Sequence, residues 1–202
     1  MGFRQAAVLS SSSFFLGILF ICFNIDHRIL WLKLSTENIQ AAYEFYETFY
    51  NAPPAVKALM HSMMGVGLMG LIGKLMKWDE SALFFDGTSL AAFLFAITIY
   101  LSVTIPGLKS ILLPASESLK LIQNNVEGGT EADRVEALRV MCAGNSLIVL
   151  CLVGVLCLQA GQEYARRIEQ RERQKLAELD AKEAAAAAAG GEGTKAETKK
   201  DK

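Results

Sequence analysis

Ala143-Gly-Asn-Ser-Leu-Ile-Val-Leu-Cys-Leu-Val-Gly-Val-Leu-Cys-Leu-Gln-Ala-Gly-Gln-Glu-Tyr164 carries no charge before Glu163. A helix of roughly twenty such residues crosses a hydrocarbon core about 30 Å thick and satisfies its own backbone polar groups on the way. Arg166 and Arg167 follow at once. Cations close behind a span resist being carried across, so this pattern predicts a membrane helix whose C-terminal end lies in the cytosol.

Three earlier runs repeat the theme, and together they predict an all-α membrane protein with spans over about 6–23, 55–76, 87–108 and 143–164. The membrane domain is expected over 1–165, and a charged cytosolic tail over 166–202. The first run has one preceding arginine, Arg4, and a hydrophobic middle like a signal peptide. It ends in Asn24-Ile25-Asp26-His27 without a small-x-small cleavage site, so it reads as an uncleaved span. Met1-Gly2 invites a myristoylation reading, but Ala6 stands where that motif wants Ser or Thr.

Charge is informative by position. The 202 residues have a formal net charge of −1, which gives no reason to expect a nucleic-acid partner. Arg4, Lys74, Lys77 and the cluster Arg166, Arg167, Arg171, Arg173 and Lys175 fall on one side of a four-span arrangement. The basic residues of the other side are spread over two longer, more acidic loops, so both termini are expected in the cytosol.

The first of those loops contains an amphipathic pattern. Ser35 is a candidate N-cap, and Ile39, Ala42, Tyr43, Tyr46, Phe49 and Tyr50 recur at three- and four-residue steps before Pro53-Pro54 ends the run. This is expected to be a lumenal amphipathic helix. In the second loop, Asn124 to Thr130 reads as a turn and Thr130-Glu131-Ala132-Asp133 as a helix start. The tail begins as a charged helix, with Glu169 and Arg173 at the favourable four-residue offset, and passes through an alanine run into a Lys/Glu/Gly/Thr end expected to be disordered. Lys199 and Lys200 have the placement of a di-lysine retrieval signal, which a receptor reads.

Small and amide residues mark the spans. Ser10, Ser11, Ser12 and Ser13 form a polar patch, and Ser62, Gly65, Gly70 and Gly73 fall on about one side of the second span, where small side chains let another backbone approach. Gly65 to Gly70 also spells GxGxxG. That string has its nucleotide-binding meaning only between a strand and a helix N-terminus, and here it lies within a span. Asn145 and Gln159 add hydrogen-bonding capacity to the fourth span. The spans are expected to lack deep acids and bases, which lowers the expectation of an ion or proton pathway.

No catalytic set stands out, and no cofactor is expected. The four cysteines, Cys22, Cys142, Cys151 and Cys157, lie in or beside apolar runs and read as small buried residues, and His27 and His61 have no partners at metal-ligand spacing.

Thr48 to Pro54, the second-span string Gly67-Leu68-Met69-Gly70-Leu71-Ile72-Gly73-Lys74, and the fourth-span strings Asn145 to Leu150 and Gly154 to Gly161, followed by a lysine-rich tail, carry a resemblance. Over about residues 5 to 165 the chain resembles the fungal endoplasmic-reticulum membrane chaperone family for amino-acid permeases, although its loop from Lys109 to Arg139 is longer than that family leads one to expect. The resemblance implies a non-enzymatic, multi-pass protein of the endoplasmic-reticulum membrane. It implies that amino-acid permeases are clients kept from aggregating, and that the tail helps hand them to vesicle coat components such as COPII. Ser10, Ser11, Ser12, Ser13, Gly65, Gly70, Gly73, Asn145 and Gln159 are then candidates for a client-facing or bundle-packing surface. A second expectation is a structural accessory subunit of a resident membrane complex. A third, a transporter, is disfavoured by the expected shortage of deep ionisable groups.

Overall fold

The computed structural model describes residues 2–76, 80–112 and 131–193. Lys77, Trp78 and Asp79, the Asn124–Thr130 turn, and the segment with Lys199 and Lys200 lie outside the described residues. The chain divides into two units, Met1–Gln159 and Ala160–Lys202.

In order, the described elements are α1 (Phe3–Leu30), α2 (Thr36–Tyr50), α3 (Pro54–Leu75), α4 (Glu80–Ile99), a π-helical turn (Tyr100–Thr104), α5 (Ile105–Leu112) and α6 (Glu131–Gly193). No strand occurs among the described residues. Four stretches are long and apolar enough to cross a membrane by length and composition: Phe3–Leu30, Pro54–Leu75, Leu83–Leu112 and Glu131–Ala184.

Local chemistry sets the boundaries. The Ser35 side chain accepts from the Asn38 amide at 3.2 Å and starts α2. Pro53 caps α3 and Pro54 sits in its first turn, where a proline costs no intrahelical bond. Between α4 and α5, Pro106 has no amide to offer the carbonyl one turn back. The π-helical turn just before it, in which the Ile105 amide bonds the Tyr100 carbonyl, absorbs that interruption without breaking the span.

Two helices outrun their apolar sequences. α1 continues past Phe23 to Leu30, which places Asp26 on a membrane-length helix, and α4 begins at Glu80, which places Asp86 there too. Both aspartates are buried, as is Lys74 on α3. The expectation that the spans lack acids and bases is therefore corrected. The apolar run understates a helix when its terminal turns bury polar groups against one another.

One apolar core gathers Val8, Leu71, Phe93, Ala96, Ile99, Ile148, Leu152 and Val155 from α1, α3, α4 and α6. A second surrounds Cys22, Ile29, Ala42, Tyr46, Ile111, Leu138, Met141 and Cys142, so that α2 packs on α1, α5 and the start of α6. Phe20, Met69, Phe95 and Leu150 are exposed, as lipid-facing residues of a bundle should be. Within the second unit, Glu163 pairs with Arg167 at 3.0 Å and Glu169 with Arg173 at 2.7 Å along the helix. Such exposed pairs support helicity by a few tenths of a kcal/mol, ~0.3–0.5 each.

Candidate functional site

Glycines of α3 and a serine hydroxyl of α1 build the seam between the two helices. A Cβ added at Gly67 would lie 2.7 Å from Phe93 Cζ and 2.9 Å from Ser11 Cβ, and one at Gly70 would lie 2.9 Å from Val8 Cγ2 and 3.1 Å from the Arg4 carbonyl oxygen. Only glycine lets the two backbones come this near. The Ser11 hydroxyl donates to the Met63 carbonyl at 2.7 Å. Arg4 completes the seam: its stem lies against Gly73 and its guanidinium donates to the Gly73 carbonyl near the C-terminus of α3.

Two buried polar clusters then tie the remaining helices to this pair. In the first, Lys74 on α3 pairs with Asp86 on α4 at 2.8 Å. Gln159 on α6 sits between them: its carbonyl accepts from Lys74, and its amide donates to Asp86 at 3.2 Å and to Ser89 at 3.1 Å. The Ser89 hydroxyl donates in turn to the Phe85 carbonyl at 2.7 Å. Both charges are compensated, which is what allows them to be buried.

The second cluster joins α1, α2 and α6. Tyr46 donates to one oxygen of Asp26, and the Asn145 amide donates to the other at 3.1 Å and to the Tyr46 hydroxyl at 2.9 Å. Thr104 donates to the Asn145 carbonyl at 3.4 Å, which brings in the π-helical turn. Burial, and next the Asp26 carboxylate, push the Tyr46 phenol upward, so its hydroxyl stays a donor. Among the described residues no cation lies within ion-pair distance of Asp26.

The small-residue positions named from the sequence fall into separate places. Ser11, Ser12, Gly70, Asn145 and Gln159 are buried inside the first unit, and Gly73 lies beneath Arg4. Ser10 and Ser13 are exposed on α1, and the space around a Cβ at Gly65 is empty. The inward face of α3 centres on Gly67, Gly70, Leu71 and Lys74, so Gly65 and Ser62 lie off it. Cys22 and Cys142 are buried, whereas Cys157 is exposed and does not share the reading given to the four cysteines.

Sequence reasoning passed over Gly67, Asp26, Lys74, Asp86 and Ser89. A signal was available: Gly67, Gly70 and Lys74 recur at three- and four-residue steps, as do Asp86, Ser89 and Phe93. Starting the third span at 87, one residue after Asp86, hid it.

What stays open is the outer face of α1. Ser10, Ser13, Gly17 and Asn24 are all exposed at helical spacing, and no heavy atom lies within 4 Å of a Cβ placed on Gly17. Among the described residues no three His, Cys, Asp or Glu side chains gather as metal ligands would. The arrangement is a braced scaffold whose α1 leaves a small, polar helix face exposed.

The family model SHR3 chaperone, described as ER membrane protein SH3, matches residues 1–200. No curated protein matches the chain. No solved structure matches it either.

Proposed function

The chain belongs to the SHR3 chaperone family of endoplasmic-reticulum membrane proteins, and on that premise we propose that its clients are amino-acid permeases. It keeps newly inserted permeases from aggregating and promotes their packaging into vesicles through coat components that meet its cytosolic tail. The reading has both termini in the cytosol and α2 on the lumenal side, supported by the clustering of Arg4, Lys74, Arg166 and Arg167.

The observation that carries the reading is the outer face of α1. A half-assembled polytopic client exposes small and polar helix surfaces that hydrocarbon cannot satisfy. Ser10, Ser13, Gly17 and Asn24 offer close backbone approach and hydroxyl or amide partners. Interhelical hydrogen bonds in membranes average only about 0.6 kcal/mol each, weak enough for release once the client's own helices close. The buried seam and the two polar clusters hold this face in place without competing for the client.

Deletion of the protein followed by pulse-chase of a permease tests the proposal. The permease should aggregate in the endoplasmic reticulum while unrelated secretory cargo leaves at its normal rate. A uniform secretion defect, with the protein recovered in fixed stoichiometry with a resident complex, would overturn it.

A further inference from the structure

A cavity of about 320 Å³ lies inside the first unit, between α1, α3, α4 and α6 with α2 alongside. Its walls are apolar, with Phe15, Leu19, Met64, Phe93, Ile148 and Leu152 among them. The volume falls within the range of small-ligand sites, roughly 300–1,000 Å³.

The lining is polarised. Among its residues only Lys57, His61 and Lys109 are exposed, so the cavity opens where these three stand. They lie near the start of α3 and in α5, at the end of the bundle where α2 packs, whereas Phe93 and Leu152 belong to the core at mid-span. Among the described residues no carboxylate lines the cavity. Lys57 is held in place by a 2.7 Å bond to the Tyr50 carbonyl and stands 5.6 Å from the Tyr50 ring centroid. That bond uses one of its three protons. The Nδ1 of His61 is engaged by the Lys57 carbonyl at 2.7 Å, which leaves Nε2 for another partner.

We propose that this cavity takes one acyl chain of an anionic bilayer lipid, with the headgroup held by Lys57 and Lys109. From Met141 to Leu152 the lining follows α6 for roughly 16 Å at helical rise. That matches one leaflet, about half of a 30 Å hydrocarbon core. The charge of the two lysines complements an anionic headgroup at the exposed end of the apolar lining. A client helix is too broad for the apolar interior, so the occupant is a chain rather than a helix.

The test uses the full-length protein in phosphatidylcholine vesicles containing a phosphatidylserine with a photoreactive acyl chain. Label should map to Met64, Phe93 and Ile148, and phosphatidylserine should be preferred over the same probe with a choline headgroup. The expected preference is about fivefold for each lysine engaged, the fold-change equivalent to about 1 kcal/mol of headgroup attraction. The exposed pair Lys57→Gln and Lys109→Gln should remove that preference without unfolding the protein, and Ile148→Trp should remove the internal label. Label confined to the outer residues Phe20 and Leu150, or indifferent to both lysines, would overturn the proposal. So would photolabelling of Met64 or Ile148 by a client polypeptide when the crosslinker is carried there instead.

Discussion

Around Gln159 a lysine and an aspartate cancel one another's charge, whereas around Asn145 a single carboxylate is held by a phenol and an amide. Both clusters are buried, both are bridged by an amide from α6, and each joins three helices. They differ in what a broken partner leaves behind. In the first cluster, losing one partner removes the opposite charge paired with the other; in the second, losing the phenol or the amide removes hydrogen bonds from a carboxylate that has no ion-pair partner among the described residues. The ion pair therefore enforces one arrangement of α3, α4 and α6 steeply, and the Asp26 cluster holds α1, α2 and α6 more gently.

The largest effect should come from breaking the pair on one side only. Asp86→Ala removes the carboxylate paired with buried Lys74 and should cost about 3–5 kcal/mol, read as thermal unfolding of the full chain in mild detergent. Replacing both partners, Lys74→Met with Asp86→Leu, should recover most of that loss. If the double variant is no better than the single one, charge compensation is not what makes the first cluster steep.

Steric closure of the seam comes next. Gly67→Leu must displace Phe93 and Ser11 and should destabilise by about 1–3 kcal/mol, while Gly65→Leu, with empty space around it, should leave the melting temperature unchanged. A matching loss at both positions would place the α1 contact elsewhere on α3.

The second cluster sharpens the comparison at lower energy. Asn145→Ala removes both amide bonds to Asp26 and Tyr46 and should cost about 1–3 kcal/mol. Asp26→Asn keeps one acceptor oxygen, replaces the other with an amide donor and so loses one of the two bonds; it should cost ~0.6 kcal/mol, the average for such bonds in a bilayer. The decisive contrast is Asp26→Asn against Asp86→Asn. Only the second removes a carboxylate that is paired with a buried cation.

Much of the frame was legible because lipid imposes it: long uncharged runs gave the four spans, and Ser35 marked the start of α2. The ends of those helices were not legible, since a polar residue beyond an apolar run can be a loop or a buried turn, and only its partner in space decides. Asp26 needed Tyr46 and Asn145, and Lys74 needed Asp86 and Gln159, across separations no local pattern spans. The glycine face was readable in kind but not in phase. Gly65, Gly70 and Gly73 share a side loosely, yet the contact centres on Gly67, which lay between them. On α1 four adjacent serines pointed every way around the helix, and structure divides them into buried Ser11 and Ser12 and exposed Ser10 and Ser13.

The smallest expected change in stability belongs to the outer face of α1, and it carries the largest functional claim. Ser10→Leu, Ser13→Leu and Gly17→Leu combined should leave the melting temperature unaltered, since these positions contact nothing inside the first unit that must move. Pulse-chase of an amino-acid permease in cells carrying only this triple variant is the most direct measurement. The account predicts that the permease aggregates in the endoplasmic reticulum although the variant is folded and abundant; normal permease export from those cells would contradict it.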